Sequence, residues 1–213
     1  GSFGSRGAQG RRQMALRSGK WEQASSVSGG YKRADGGTEN SDFEKGQGYA
    51  NLSLSYDRRL DIGAQLGIAS QSYGANTFYS AKFNNQYEKT DHGIASLNVS
   101  VHNQDRTWEV TPAVYYNKFK DHYQLTRGKE GAAAGENYQQ RVVFGGAVTA
   151  YVDWIAGKTA VGVDIGKERI YSTALGNQLD AADYKSIPGS DRQYTRKGER
   201  TNTNVMLEHN FIF

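Results

Sequence analysis

Histidines and carboxylates are where chemistry would first be sought in this sequence. His92, His102, His122 and His209 lack the spacing of a metal-ligand set. With no cysteine in the chain, a thiolate metal site, a cysteine nucleophile and a disulfide framework are all excluded. Asp121 beside His122 could act as an acid–base pair in a barrel hydrolase or protease, although adjacent polar residues at the start of a loop are more simply read as solvated. Asp180, Asp183 and Asp191 could offer oxygen ligands to calcium, but their spacing matches no cation-binding loop. The chain carries no Walker loop, dinucleotide fingerprint, GxSxG elbow or HExxH pair. The expectation is therefore of no catalytic residue, no metal and no cofactor. Asn51 and Asn98 head N-x-S sequons, but they fall inside expected strands, which argues against glycosylation.

Composition narrows what could position such residues. Of 213 residues, 37% are hydrophobic, and mean hydropathy is −0.75. No stretch approaches the roughly 18–20 consecutive apolar residues of a membrane-spanning helix. Yet 12% of residues are aromatic, 14 of them Tyr, which argues against wholesale disorder. With 26 Gly against 2 Pro, the profile is that of a β-protein. A net charge of +4 and a pI near 9.1 are too mild, without a basic stripe, to indicate nucleic acid. The cluster Arg6, Arg11, Arg12, Arg17 and Lys20 reads as a solvated face. The N-terminus has no apolar leader segment, so a mature product or an excised fragment is expected.

Alternation supplies the elements. Leu60, Ile62, Ala64, Leu66 and Ile68 interleave with Asp61, Gly63, Gln65 and Gly67, which gives a strand one apolar and one polar face. Ala50, Leu52, Leu54 and Tyr56 repeat the pattern, and only Asp57 to Arg59 separate the two runs, as in a tight hairpin. The unit recurs across Ala95–Val101 and Trp108–Tyr116, and again across Val142–Trp154 and Thr159–Ile165. About ten antiparallel strands are expected, at 1–5, 11–18, 21–33, 47–56, 60–71, 86–102, 107–120, 138–154, 159–171 and 201–213. Pro112 inside a strand is read as a local bulge, because proline removes one ladder donor.

Connections alternate between short turns and the long polar segments 34–46, 72–85, 121–137 and 172–200. Transmembrane β-barrels show this alternation, with short turns at the periplasmic rim and long loops outside. Aromatics agree. Trp21, Tyr56, Trp108, Trp154 and Phe213 fall beside short turns or at the chain end, while Tyr116, with Tyr31, Tyr73, Tyr87, Tyr138, Phe144 and Tyr171, lies toward the long loops. Trp108 to Tyr116 spans about 20 Å of height at a rise of roughly 3.3 Å and a tilt near 40°. A soluble β-sandwich is the competing architecture.

One run is more specific. Tyr73-Gly-Ala-Asn-Thr-Phe-Tyr-Ser-Ala-Lys-Phe-Asn-Asn-Gln-Tyr-Glu88 resembles a segment of TonB-dependent outer-membrane receptors, notably the cobalamin-receptor-like group of Bacteroidetes-type bacteria. Thr111-Pro112-Ala113-Val114-Tyr115-Tyr116, Asp121-His122-Tyr123 and Gly145-Gly146 follow in that family's order, and Gly1–Ser5 looks like its first barrel strand. The resemblance runs through nearly the whole chain. It implies that residues 1–213 are the N-terminal portion of a 22-stranded barrel domain in the bacterial outer membrane, without the plug that fills such barrels. Phe211 and Phe213 also look like the terminal aromatic signal of a barrel's last strand. A complete ten-stranded barrel thus stays open as an alternative, serving adhesion or structure, or less readily hydrolysis.

On that resemblance the expected function is receptor-mediated, TonB-dependent uptake of a siderophore- or cobalamin-like nutrient, not enzymatic turnover. Extracellular loops would capture the ligand through Tyr73, Asn76, Phe78, Tyr79, Tyr123 and Tyr138. Trp21, Tyr56, Trp108, Tyr116, Trp154 and Phe213 would line the membrane interfaces. The expected partners are outer-membrane lipid, a small-molecule nutrient and the TonB system acting through the missing plug, with no nucleic acid.

Overall fold

A computed structural model of the chain describes residues 2–211. Nine long strands form one antiparallel meander: β1 (Arg6–Ser18), β2 (Trp21–Ala34), β3 (Phe43–Tyr56), β4 (Leu60–Asn76), β5 (Gln86–His102), β6 (Trp108–Gln124), β7 (Glu136–Trp154), β8 (Gly157–Ser172) and, after three two-residue strands, β12 (Arg196–Phe211). Of the short strands, β9 (Asn177–Gln178) pairs with the start of β12, while β10 (Lys185–Ser186) pairs only with β11 (Gln193–Tyr194). Among the described residues no helix is long and apolar enough to cross a membrane, which bears on helices alone. The sheet is not closed: β1 stands at one end of it and β12 with β9 at the other.

The short turns close tightly. Between β3 and β4, Arg59 N–H donates to Tyr56 C=O at 3.0 Å, and Asp57 and Arg58 both have φ near +50°. Two left-handed central residues make the mirror-image turn whose twist matches a right-twisted hairpin. All the connections at this end, the turn rim, are two to five residues long. Those at the loop rim are 35–42, 77–85, 125–135 and 173–195.

Several expectations change. Segments 1–5 and 11–18 are not two strands: Ser2–Gly4 is a 3-10 turn, and β1 runs unbroken from Arg6. Its outward positions Arg6, Ala8, Gly10 and Arg12 lack the apolar period that would have marked it. Strands also reach farther toward the loop rim than expected, β4 to Asn76 and β6 to Gln124. Pro112 causes no bulge. It sits in register opposite Val148, and the β5–β6 register is the same on both sides of it, with pairing lapsing only near Val99 and Ser100. The single register shift lies instead between Gly74 and Asn76. Gly1 and Phe213, an expected strand start and interface residue, lie outside the described residues.

Register carries the two faces across every strand. On one face, Val27, Ala50, Leu66, Ala95, Tyr116 and Phe144 stand in a single row. The next row toward the turn rim passes through Leu52, Ala64, Leu97, Val114, Gly146 and Ile165. The opposite face carries Asn51, Gln65, Ser96, Asn98, Tyr115, Asp164 and Asn204. Among the described residues no second layer covers the apolar face. Leu66 is 60% exposed, Ile68 70%, Leu207 76% and Val205 77%. Burial is concentrated at the loop rim, in Ala34, Ala75, Gln86, Gln124, Glu136, Ser172, Ile187 and Tyr194.

The aromatics sort by height as expected on the described strands. Trp21, Tyr56, Trp108 and Trp154 all fall on the apolar face at the turn rim. Trp21 packs on Tyr56 at 4.8 Å between ring centroids, and Trp154 Nε1–H donates to Thr159 Oγ1 at 2.8 Å. Tyr116 faces Phe144 across the β6–β7 pair, nearer the loops. Tyr73 alone of the loop-side set falls on the polar face, opposite Glu88.

Candidate ligand-binding rim

The register at the top of β4, β5 and β6 aligns three side chains on the polar face: Tyr73, its partner Glu88, and Tyr123 opposite Glu88. Loop 77–85 then folds back over this row. The Tyr79 hydroxyl lies 2.8 Å from that of Tyr73, and both phenols reach Glu88 Oε2. Each phenol has one proton, so two protons serve three close oxygen contacts around one carboxylate. Burial, followed by the hydrogen bond to Glu88, pushes the Tyr79 phenol up to about 12, so it is a donor at any physiological pH. The Tyr79 ring meets Tyr123 edge-on at 5.7 Å and Phe78 edge-on at 4.9 Å. Phe78 itself is 79% exposed.

Gln86 locks the base of this cluster. Fully buried, it donates from Nε2 to Phe83 C=O at 2.8 Å and accepts from the Tyr123 hydroxyl at 3.2 Å. One pair inward, Asp121 aligns with Thr90 on the same face, and its buried Oδ1 has no hydrogen-bond partner among the described residues. The result is an aromatic shelf, exposed at Phe78, with a carboxylate and phenols behind it. Such a surface can stack on a flat apolar group and hydrogen-bond its polar edge.

Three loops are tied together beside the shelf. Arg127 grips Asp42 with two parallel bonds, at 2.6 and 3.0 Å, and reaches Asn40 Oδ1 at 3.2 Å. Its backbone N–H donates to Asn85 C=O at 2.7 Å, and its guanidinium lies 4.8 Å from the Tyr87 ring centroid. The same guanidinium holds the Asp42 carboxyl below its ordinary range. Asn40 Nδ2 donates to Gln86 C=O at 2.6 Å, and the N–H groups of Gly74 and Asn76 bond to Asp42 and Asn40 carbonyls. A Cβ at Gly74 would stand 2.6 Å from the Asn40 carbonyl oxygen, so this approach requires glycine.

The six expected ligand residues therefore divide. Tyr73, Phe78, Tyr79 and Tyr123 come together. Asn76 sits at the register shift with φ of 39°, its amide 3.4 Å from Thr38 Oγ1. Tyr138 lies on the other face, stacked on His122 at 4.0 Å and donating to Glu136 Oε1 at 3.0 Å. Glu136 is buried and also accepts from His122 Nε2, Gln124 Nε2 and Gly131 N–H, which pins loop 125–135. Asp121 and His122 point to opposite faces, because side chains alternate along a strand, so they form no acid–base pair. Among the described residues, no three His, Asp or Glu side chains converge as a metal site.

Glu88 and Gln86 belong to the run that carries the resemblance but are not among the expected ligand residues. Glu88 is separated from Tyr73 by 15 residues, and only the β4–β5 register makes them partners. A polar network also occupies the turn rim of the same face. His102 Nε2 lies 3.1 Å from Asp61 Oδ2, Arg106 joins Asp61 to Glu109, and Tyr151 donates to Glu109 at 3.2 Å. No protein-family model, curated protein or solved structure matches this chain.

Proposed function

We propose that these strands are part of the wall of a transmembrane β-barrel in a bacterial outer membrane, and that the barrel is a TonB-dependent receptor for a siderophore- or cobalamin-like nutrient. One observation carries the membrane reading. A band of large apolar side chains runs across the sheet with no protein layer over it, while the opposite face is polar. In water, contiguous exposed apolar area on this scale is unfavourable and marks an interaction surface. In a bilayer it is the lipid-facing wall, and the polar face becomes the lumen. Open edges at β1 and β12 cannot persist in hydrocarbon, where each unpaired backbone group costs several kcal/mol, so further strands must close this sheet in the membrane.

The nutrient reading rests on the resemblance of Tyr73–Glu88 and on the shelf that segment builds. The loop rim would face outward, presenting Phe78 and Tyr79 to an arriving ligand, with the Glu88 carboxylate orienting the phenols. Plug and TonB coupling would supply the transport step.

The test is binding of cyanocobalamin and of a ferric catecholate siderophore to the full natural chain in detergent. Replacing Phe78 and Tyr79 together by Ala should weaken the ligand that binds by about tenfold or more, as expected for two aromatic anchors. Unchanged affinity would remove the shelf from the binding site. Extraction of the protein by alkaline carbonate would overturn the membrane reading itself.

A further inference from the structure

Above the apolar band, the outward face of β6, β8 and β12 changes character abruptly. Phe144 is followed toward the loops by rows that place Lys118 beside Val142 and Arg169, and Lys120 beside Gln140, Tyr171 and Lys197. Lys167 adjoins Phe144 itself. These five cations share one face with two nearby carboxylates: Asp91 of β5, opposite Lys120 in the register, and Glu199. Glu199 is contacted by Lys167 at 3.7 Å, by Lys197 at 3.0 Å and by Arg169. Lys118 and Lys120 have no ion pair among the described residues. The patch therefore keeps a surplus of three positive charges.

Its placement is one-sided. At the turn rim the same face presents Trp21, Tyr56, Val101, Trp108, Trp154 and Phe211, with no Lys or Arg at the described strand positions. Simple snorkelling of long side chains to water would serve either rim equally. A cationic patch confined to one rim, immediately above a band that must meet acyl chains, is matched by a lipid with negative charge at that height.

We infer that Lys118, Lys120, Lys167, Arg169 and Lys197 bind the phosphate groups of a phosphorylated lipid in the loop-side leaflet, its acyl chains lying along Tyr116, Phe144 and Ile165. Glu199 holds three of the cations in place without neutralising them. This inference rests on the membrane reading above.

The experiment is native mass spectrometry of the full natural chain, released from membranes and offered bis-phosphorylated lipid A or the same lipid stripped of both phosphates. The unaltered protein should retain the phosphorylated form by about tenfold or more over the stripped one. The triple variant Lys118→Ala, Lys120→Ala, Arg169→Ala should bring the two to near parity. A variant lacking as many cations on the polar face, Arg11→Ala, Arg17→Ala, Lys32→Ala, should keep the preference. Equal retention of both lipids by the unaltered protein overturns the inference. So does loss of the preference in the polar-face variant, or displacement of the lipid by millimolar inorganic phosphate, which would indicate a free-anion site. A protein resistant to carbonate extraction that shows no preference loses only this inference, whereas one extracted by carbonate loses both readings.

Discussion

The two rims of the sheet are built by different means. At the turn rim, connections of two to five residues leave almost nothing to fold, and order comes from the strand side chains Asp61, His102 and Glu109 with Arg106 of one turn. At the loop rim, segments from different hairpins hold one another. Arg127 reaches Asp42 across 85 residues, and Asn40 reaches Gln86 across 46. The turn rim is thus tied between adjacent hairpins, Asp61 reaching His102 across 41 residues, whereas the loop rim also joins connections that are not neighbours, 35–42 with 125–135. Loops held in the second way lose their entropy on folding, so an interaction at that rim would not have to order them again.

Four changes would sharpen or break this contrast. The largest effect belongs to neither rim but to the band between them. Leu66→Arg should cost about 2–4 kcal/mol of stability in a bilayer, while Gln65→Arg on the polar face should cost far less. Reversible unfolding in vesicles measures both, and equal penalties would contradict the assignment of faces. Gly74→Ala is next. Its Cβ meets the Asn40 carbonyl, so it should cost about 1–3 kcal/mol and expose loops 35–42 and 77–85 to protease while leaving the turn rim protected.

Arg127→Ala should cost only about 1 kcal/mol, because the Arg127–Asp42 pair is more than a third exposed and solvent screens it. The sign of its pH dependence follows from the lowered Asp42 carboxyl. The pair's contribution is full above the unfolded value near 3.9 and is lost as pH falls through the lower folded value. Protection of these loops should therefore hold from pH 7 to about pH 5 and fade only in stronger acid. Protection already lost at pH 5 would show that Asp42 is not the latch. The smallest effect is at the turn rim, where Tyr56→Leu should cost about 0.5 kcal/mol through its half-exposed contact with Trp21 and leave loop protease patterns unchanged.

Legibility in the sequence follows the same divide. From β3 to β8 the strands show themselves because one face is apolar and the other polar, so the side-chain period of two is written into residue types. Beyond the band, Ser70–Asn76 of β4 and Lys118–Gln124 of β6 are still strand, but both faces carry polar residues and the period vanishes. The last residues of each, 72–76 and 121–124, therefore read as loop. β1 was split for the same reason, having Arg and Gly where apolar residues would have marked its outer face. At the candidate site, tyrosines were visible as types in the right loops. Which of them meet depended on register: Tyr73 and Tyr123 share a row with Glu88, whereas Tyr138 faces the other way.

The meander has a kinetic corollary. Each long strand pairs with the long strand before it in the chain, and the longest connection to be closed is segment 173–195. Loop-closure entropy grows only slowly with length, so no pairing step waits on a distant part of the chain. The sheet can grow one hairpin at a time from any nucleus, the turn rim forming first in each unit. The cross-loop bonds of Arg127 and Asn40 cannot form until β3 through β6 are aligned. Closure of the loop rim is then a late event, and proteolytic resistance of loops 35–42 and 125–135 reports that the intervening strands have found their register.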